Sequence, residues 1–157
     1  MGCPGCFNPQ THGREEAGEA AETAGVADVM RRILAAGTEG LTVSGGEPLQ
    51  QAEAVVELRE AARAAGLSTL LFTGLAWEEV QRLPLAPRIF RCVDVLLAGR
   101  YVVERRVAHG LLDSANKTVH LLSPRHTLEE IAATPEAEAV ILPDGRVVLS
   151  GIRPPEA

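Results

Sequence analysis

Apolar residues in the first half of the chain recur with the period of a helix, then with that of a strand. From residue 26 they return at three- and four-residue spacing, which predicts a helix with one buried face that ends at Gly37. The apolar positions of this helix are Val26, Val29, Met30, Ile33 and Leu34. A short apolar run at 41–43 predicts a buried strand, and Pro48 suits the first turn of a second helix that ends at Gly66.

This succession of strand and helix repeats along the chain. Residues 68–72 and 93–97 predict two further strands, each almost continuous in apolar residues, and 77–82 predicts a short helix that Pro84 ends. Strands of this kind that alternate with helices are typical of a parallel sheet covered by helices. The predicted fold class is therefore α/β.

The last third of the chain is richer in β-strand signals. Residues 118–122 alternate between polar and apolar positions, and 128–133 predicts a short helix. Two runs at 139–142 and 146–150 flank a Pro-Asp-Gly turn. Because Asp-Gly between two β-rich runs is a strong turn signal, the pattern predicts a C-terminal β-hairpin.

Composition restricts the class of protein. The chain has 157 residues, of which 46% are apolar and 23% charged, as expected of one globular domain over residues 1–157. It contains neither an apolar run long enough for a membrane span nor the features of a signal peptide. With three cysteines and a net charge of −6, we expect a cytoplasmic protein whose main partner is neither nucleic acid nor a membrane.

Cys3 and Cys6 are separated by Pro4 and Gly5, a turn that brings two thiolates to one point. Such a pair can form half of a zinc site, a redox dithiol or part of the ligand set of an iron–sulfur cluster. No second pair with zinc-ligand spacing is present, so zinc is the weaker interpretation. A redox dithiol should follow a strand and open a helix, whereas this pair lies at the N-terminus. The residues therefore favour a cluster whose ligand set is incomplete.

The predicted strands end in residues that are suited to binding a ligand. Ligands of parallel α/β folds gather at the carboxyl ends of strands. At 44–47 two glycines let the backbone approach a ligand closely, and a carboxylate can accept a hydrogen bond from an ammonium group. The candidates at the three strand ends are Ser44, Gly45, Gly46, Glu47, Thr73 and Asp94. Asp94 could equally tie down a strand end.

Four segments together resemble the radical S-adenosylmethionine superfamily, and within it the activating enzyme of anaerobic ribonucleotide reductase. They are CPGCFNPQTH, TVSGGEPLQQ, FTGLAWEEV and DVLLAGRY. Such enzymes bind a [4Fe-4S] cluster through Cys-x3-Cys-x2-Cys and hold the amino group of S-adenosylmethionine with Gly-Gly-Glu-Pro. Cys3 and Cys6 match the last two cysteines, and residues 45–48 match the second motif.

The resemblance implies a partial (β/α) barrel of radical S-adenosylmethionine type with a C-terminal hairpin. The implied activity is reductive cleavage of S-adenosylmethionine to a 5′-deoxyadenosyl radical, which installs a glycyl radical on a partner such as anaerobic ribonucleotide reductase. A flavodoxin- or ferredoxin-type protein would donate the electron. The implied metal ligands are Cys3 and Cys6, and the implied cofactor-binding residues are Ser44, Gly45, Gly46, Glu47, Thr73 and Asp94. No acid–base catalytic residue is required.

The chain departs from the family pattern at its N-terminus. The first cysteine would fall two positions before Met1, and the strand that precedes it is missing as well. We therefore expect about 20 to 30 further residues upstream. With two thiolates, the chain as given should hold a cluster only weakly and leave a sheet edge unpaired. Cys92 is expected in the core. Two alternatives remain open: action on a small metabolite, and a degenerate domain for metal binding or protein interaction.

Overall fold

The computed structural model describes Pro4 and residues 24–151. The first part of this region contains α1 (Val26–Ala35), β1 (Gly40–Val43), a 3-10 turn (Pro48–Gln51), α2 (Ala52–Ala64) and β2 (Ser68–Thr73). The middle part contains α3 (Trp77–Gln81), α4 (Ala86–Cys92), β3 (Val95–Ala98), a second 3-10 turn (Val103–Arg105), β4 (Arg106–His109) and β5 (Leu112–Ser114). The last part contains β6 (Thr118–Leu121), α5 (Leu128–Ala132), β7 (Ala137–Ile141) and β8 (Val147–Gly151).

The central sheet has four strands in the order β1-β2-β3-β6. The first three strands are parallel, as the sequence predicted, with Leu71 beside Leu96. β6 runs antiparallel to β3, with Val119 beside Leu97, so the sheet is mixed. β1 and β6 are its edge strands, and no other described strand pairs with them. The described sheet is open, and the partial barrel stays a prediction.

Helices cover one face of the sheet more fully than the other. On the first face, apolar residues of α2, α3 and α4 pack on Leu71 and Leu96, and Met30 of α1 forms a second cluster with Ala62 and Leu67. On the opposite face, a third cluster includes Val95, Leu97 and Ile131 of α5. Because β3 is covered on both sides, all four of its residues are buried, which explains its continuous apolar sequence.

Two regions differ from the sequence-based expectation. Residues 86–92 form α4, in a segment for which the sequence analysis predicted no helix or strand. Pro87 lies in the first turn of that helix, where a missing N–H costs nothing, and Ile89 is buried against the sheet. β4 and β5 form a separate two-stranded sheet that turns at Gly110. Strands of three and four residues carry too little alternation to be recognised from sequence.

The predicted C-terminal hairpin is formed by β7 and β8. Its turn is closed by the Gly145 N–H, which donates to the Leu142 carbonyl at 2.9 Å. Gly145 has a φ of 83°, a left-handed conformation that glycine adopts without a steric penalty. Proline, aspartate and glycine therefore each occupy the turn position that favours them.

None of the helices that the structure describes combines the length and the apolar character needed to cross a bilayer.

Candidate functional site

Glu47 follows β1, and its carboxylate is held by donors from β2 and from its own turn. Oε1 accepts hydrogen bonds from the Thr73 hydroxyl at 2.7 Å and the Leu49 N–H at 2.9 Å, and Oε2 accepts from the Gly74 N–H at 2.7 Å. Glu47 is only 7% exposed. The side chain therefore ties together the carboxyl ends of two neighbouring parallel strands.

The turn before Glu47 presents its backbone to solvent. Ser44, Gly45 and Gly46 are exposed, and the two glycines have φ values of 83° and 52°. Residues with a Cβ rarely adopt the left-handed backbone conformation at two successive positions, which explains the Gly-Gly pair. The Glu47 carboxylate has three protein donors, whereas Ser44 and Gly45 are open to solvent. A role of this turn, or of the Glu47 side chain, in binding a cofactor stays a prediction.

A cleft of about 180 Å³ opens at the same edge of the sheet. It lies between the start of α3, the carboxyl end of β3 and the first residues of β6. Its lining residues are Ala76, Trp77, Glu78, Ala98, Gly99, Asn116, Thr118 and His120. The sequence analysis did not identify Glu78, Thr118 or His120. The alternation at 118–122 predicts that Thr118 and His120 share one face of a strand. It does not predict that this strand lies beside β3.

An aromatic stack forms one wall of the cleft. The rings of Trp77 and His120 lie nearly parallel, with centroids 3.9 Å apart, and Phe90 contacts Trp77 at 5.2 Å between centroids. Burial lowers the pKa of His120 below its usual value of 6.5, and the nearby Glu78 carboxylate opposes that effect in part. The His120 Nε2 is 2.8 Å from the Thr118 hydroxyl. The wall is therefore a neutral imidazole packed on an indole near neutral pH.

Arg100 and Glu79 form an ion pair near the cleft. The two guanidinium Nη atoms of Arg100 donate to the two carboxylate oxygens of Glu79 at 2.8 and 2.9 Å. These hydrogen bonds from Arg100, with one from the Ala76 N–H, lower the pKa of Glu79 to about 2. The Asn116 side-chain amide donates to the Arg100 carbonyl at 2.8 Å. The segment after β3 is thus fastened to both α3 and the loop before β6.

The structure does not bring Asp94 to this edge. Asp94 precedes β3 and is fully buried at the amino end of the sheet, where it accepts hydrogen bonds from the Thr69 N–H, the Ser123 hydroxyl and Arg63 at 2.8, 2.5 and 2.6 Å. Thr69 is four residues before Thr73 on β2, a separation of about 13 Å along a strand. These contacts are those of a residue that ties down a strand end, the alternative interpretation of Asp94.

Burial tends to raise the pKa of the Asp94 carboxyl, but the hydrogen bonds from Ser123 and Thr69 and the Arg63 guanidinium outweigh that effect, so the pKa lies below its ordinary value. The charged form is therefore favoured in the folded protein. Together these four side chains fasten β2, β3, α2 and the segment after β6 to one another.

Cys92 is buried in the core, as the sequence predicted. It is 2% exposed at the end of α4, and its backbone carbonyl accepts a hydrogen bond from Thr69, which places it at the amino side of the sheet. Burial raises the pKa of its thiol. Cys3 and Cys6 lie outside the described residues. Within Pro4 and 24–151, no three histidine, cysteine or acidic side chains gather closely enough to hold a metal ion.

Comparison with known proteins gives the class of the domain. Neither the curated proteins nor the solved structures contain a match to this chain. A protein-family model described as a 4Fe-4S single cluster domain matches residues 1–120, which is 120 of the 157 residues and includes both Cys3 and Cys6. The matched span also contains the glycine turn at 44–46, Glu47, Thr73 and the whole aromatic stack. The chain therefore belongs to the 4Fe-4S single cluster domain family.

Proposed function

We propose that this protein is a radical S-adenosylmethionine enzyme, and that it installs a glycyl radical on a partner enzyme such as anaerobic ribonucleotide reductase. The observation that carries the proposal is the exposed Ser-Gly-Gly turn, which Glu47 holds at the carboxyl edge of parallel strands. The turn lies within the span that matches a [4Fe-4S] domain family found in radical S-adenosylmethionine proteins. A cluster and a nearby polar turn for an amino acid cofactor are the two parts that this chemistry requires.

Different residues of the chain would bind the cluster and S-adenosylmethionine. Cys3 and Cys6 would supply two cluster thiolates, and the backbone at Ser44 and Gly45 would receive the ammonium end of S-adenosylmethionine. Glu47 and Thr73 fix the position of that turn, because they join it to β2. When bound, the reduced cluster supplies the single electron that breaks a C–S bond of S-adenosylmethionine.

The products of this reaction balance without an acid or base from the protein. The proposed reaction would convert S-adenosylmethionine, one electron and a glycine residue of the partner into methionine, 5′-deoxyadenosine and a glycyl radical. A flavodoxin- or ferredoxin-type protein would supply the electron. The Trp77–His120 cleft, at the same edge as the glycine turn, would exclude water from the reacting groups.

The test is anaerobic reconstitution with iron and sulfide, followed by dithionite reduction and chromatographic assay of 5′-deoxyadenosine. Iron content should fall in Cys3→Ser and Cys6→Ser and stay unchanged in Cys92→Ala, the matched control, because Cys92 lies at the opposite edge of the sheet. A chain with an N-terminal extension that supplies a third cysteine is assayed in parallel, since a site-differentiated cluster needs a third thiolate.

Formation of 5′-deoxyadenosine by the extended chain would support the proposal. A fully loaded cluster in both chains without any cleavage of S-adenosylmethionine would overturn it, and would favour a domain for metal binding or protein interaction. Cleavage without a glycyl radical on any co-purified partner would instead point to a small metabolite as substrate.

A further inference from the structure

A serine and a histidine meet at the amino edge of the central sheet, the edge opposite the glycine turn. Ser68 is the first residue of β2, and His126 lies two positions before α5. The Ser68 hydroxyl is 2.5 Å from the His126 Nε2, although 58 positions separate the two residues. The antiparallel direction of β6 returns the chain to the edge at which β2 begins. A hydroxyl within hydrogen-bond reach of an imidazole is the arrangement that activates a serine nucleophile.

A carboxylate lies beside the other nitrogen of the imidazole. The His126 Nδ1 is 3.9 Å from the Glu130 Oε2, a distance of charge attraction rather than of a hydrogen bond. The position of Glu130 is fixed, since its Oε2 accepts from the Thr127 N–H at 2.8 Å and its N–H donates to the Thr127 hydroxyl at 3.2 Å. A negative charge beside Nδ1 favours the ring tautomer with its proton there. Nε2 is then left to accept a hydrogen bond from the Ser68 hydroxyl.

A guanidinium supplies positive charge near the serine. Arg125 is exposed, and its Nη1 donates to the carbonyl of Gly66, two residues before Ser68, at 2.8 Å. A guanidinium has five N–H donors, so this bond leaves most of them for another acceptor. The nearest backbone donors are occupied, because the N–H groups of Ser68 and Thr69 already donate within the protein. Arg125 is therefore the group that can stabilise a negative oxygen formed at Ser68.

The serine is open to a small molecule. Ser68 is half-buried, and the His126 side chain is 31% exposed. The neighbour of Ser68 on the edge strand β1 is Gly40, which is exposed. A Cβ at Gly40 would lie 3.2 Å from the Cβ of Ser68, so a larger residue there would crowd the serine. The space beside the hydroxyl therefore suits a short acyl group.

We propose that Ser68 is a nucleophile and His126 its general base, in a second site that hydrolyses small carboxylic esters. The Ser68 Oγ bonds to the ester carbonyl carbon while its proton passes to the His126 Nε2. The C–O bond to the alcohol then breaks, and the alcohol leaves with that proton. Water attacks the acyl group on Ser68 by the same route, which releases the acid and restores the hydroxyl. Ester and water thus give acid and alcohol, and the reaction balances without an oxidant or reductant.

This activity is separate from the chemistry proposed for the cluster. The glycine turn and the Trp77–His120 cleft lie at the carboxyl edge of the sheet, whereas Ser68 begins β2 at the amino edge. Ser68 and Thr73 are the two ends of β2, about 16 Å apart along the strand. Substitutions at Ser68 or His126 therefore test the second site without touching the first.

The experiment combines covalent labelling with an assay of hydrolysis. The full chain is incubated with a fluorophosphonate probe, and peptide mass spectrometry should locate the label on Ser68. Release of nitrophenol from p-nitrophenyl acetate at neutral pH measures hydrolysis, and Ser68→Ala and His126→Gln should each lower the rate at least about tenfold. Ser123→Ala is the matched control, because its hydroxyl lies at the same edge but donates to Asp94. Its rate should stay within about twofold of the wild-type rate.

Glu130 acts through His126 and is a positioning residue. Glu130→Gln removes the charge but keeps an oxygen that can accept from the Thr127 N–H, so the start of α5 is preserved. The rate should fall by up to about fivefold, the range of an exposed charge pair. Nitrogen NMR gives a second readout. The neutral ring of His126 should carry its proton on Nδ1 in the wild-type chain and shift toward the Nε2-protonated tautomer in Glu130→Gln.

Three results would overturn the proposal. Absence of label from Ser68 in the wild-type chain is the first, and it requires no variant to fold. Hydrolysis that persists in Ser68→Ala would assign the reaction to an imidazole or a cysteine thiol. A loss in Ser123→Ala as large as that in Ser68→Ala would show that both substitutions act by loosening this edge of the sheet. Circular dichroism establishes that each variant is folded. Assays of the cluster and of S-adenosylmethionine cleavage are independent of these outcomes.

Discussion

The imidazole of His120 lies against the indole of Trp77, with ring centroids 3.9 Å apart and planes 13° from parallel. The two residues are 43 positions apart in the sequence (120 − 77) and come from β6 and α3. Their contact exists because the antiparallel β6 brings its first half to the same edge as the start of α3. The stack builds one wall of the cleft and also provides a spectroscopic probe, since Trp77 is the single tryptophan of the chain.

Protonation of His120 should quench the fluorescence of Trp77. Burial lowers the pKa of His120, so the transition should have its midpoint below pH 6.5. The unfolded chain takes up this proton first, so the contribution of His120 to stability is present above pH 6.5 and is lost as the pH falls through the lowered pKa.

A fluorescence titration of the wild-type chain measures this midpoint. His120→Gln should abolish the transition, whereas His126→Gln should preserve it, because His126 lies beside Ser68 at the amino edge of the sheet, away from Trp77. A midpoint above 6.5, or an unchanged transition in His120→Gln, would contradict the assignment.

Thr73→Val should destabilise the fold through Glu47. The substitution keeps the shape of the side chain but removes a hydroxyl that donates to the buried carboxylate at 2.7 Å. Loss of a hydrogen bond to a buried charged group costs about 1.5–3 kcal/mol. Urea denaturation measures the change, and Thr42→Val at an exposed position of β1 is the control, with an expected effect within about 0.5 kcal/mol. Equal effects at the two threonines would show that Glu47 does not depend on Thr73.

Gly110→Ala should destabilise the fold more than Gly37→Ala, although both glycines have a left-handed backbone. Their φ values are 57° and 65°, which costs a residue with a Cβ about 1–2 kcal/mol. A Cβ at Gly37 would meet no atom within 4 Å, whereas at Gly110 it would lie 2.9 Å from the Cα of Ala132 in α5. Overpacking adds about 1–3 kcal/mol, so Gly110→Ala should lose clearly more stability in thermal unfolding. Similar losses would mean that the β4–β5 turn does not pack on α5 in solution.

Asp94→Asn should make the free energy of unfolding depend less on pH in the acidic range. The pKa of Asp94 in the folded protein is below its ordinary value of 3.8, so the unfolded chain binds the proton first. The stabilisation is therefore complete well above pH 3.8 and is lost as the pH falls through the lowered pKa. The variant should lose about 2–3 kcal/mol at pH 7, because several hydrogen bonds to a buried carboxylate are weakened, and less at low pH.

The measurement for Asp94 is the free energy of unfolding by urea at a series of pH values between 7 and 3. Asp28→Asn is the control, since Asp28 forms an exposed ion pair with Arg31 that contributes little to stability. A constant difference between Asp94→Asn and the wild-type chain at every pH would show that the stabilisation is not linked to protonation.

Local order was predictable where the pattern is long and periodic. α1, α2, β2 and the C-terminal hairpin begin and end within a few residues of the predicted positions, because three- and four-residue spacing, strand-length apolar runs and the Asp-Gly turn each reflect a local geometric rule. α4 was missed because proline in a first helical turn has the same sequence signature as proline in a loop.

The candidate site was likewise predictable only in part. Glu47 and Thr73 were predicted at neighbouring strand ends, and the structure joins them. Asp94 was predicted at the same edge, but it stands at the start of the predicted strand 93–97 and directly before β3, so it lies at the other end of the sheet. His120 was not predicted, since its role depends on the direction and neighbour of β6.

By itself, the sequence determined the α/β class, the Gly-Gly turn before a buried carboxylate, and the Cys-x-x-Cys pair that accompanies membership of a [4Fe-4S] family. These features are short-range, and a few adjacent residues encode each of them. Only the tertiary structure decided that Asp94 fastens the amino edge, that His120 packs on Trp77, and that β6 runs antiparallel beside β3. Such facts depend on strand order and direction, which arise from the packing of the whole chain and leave no period in the sequence.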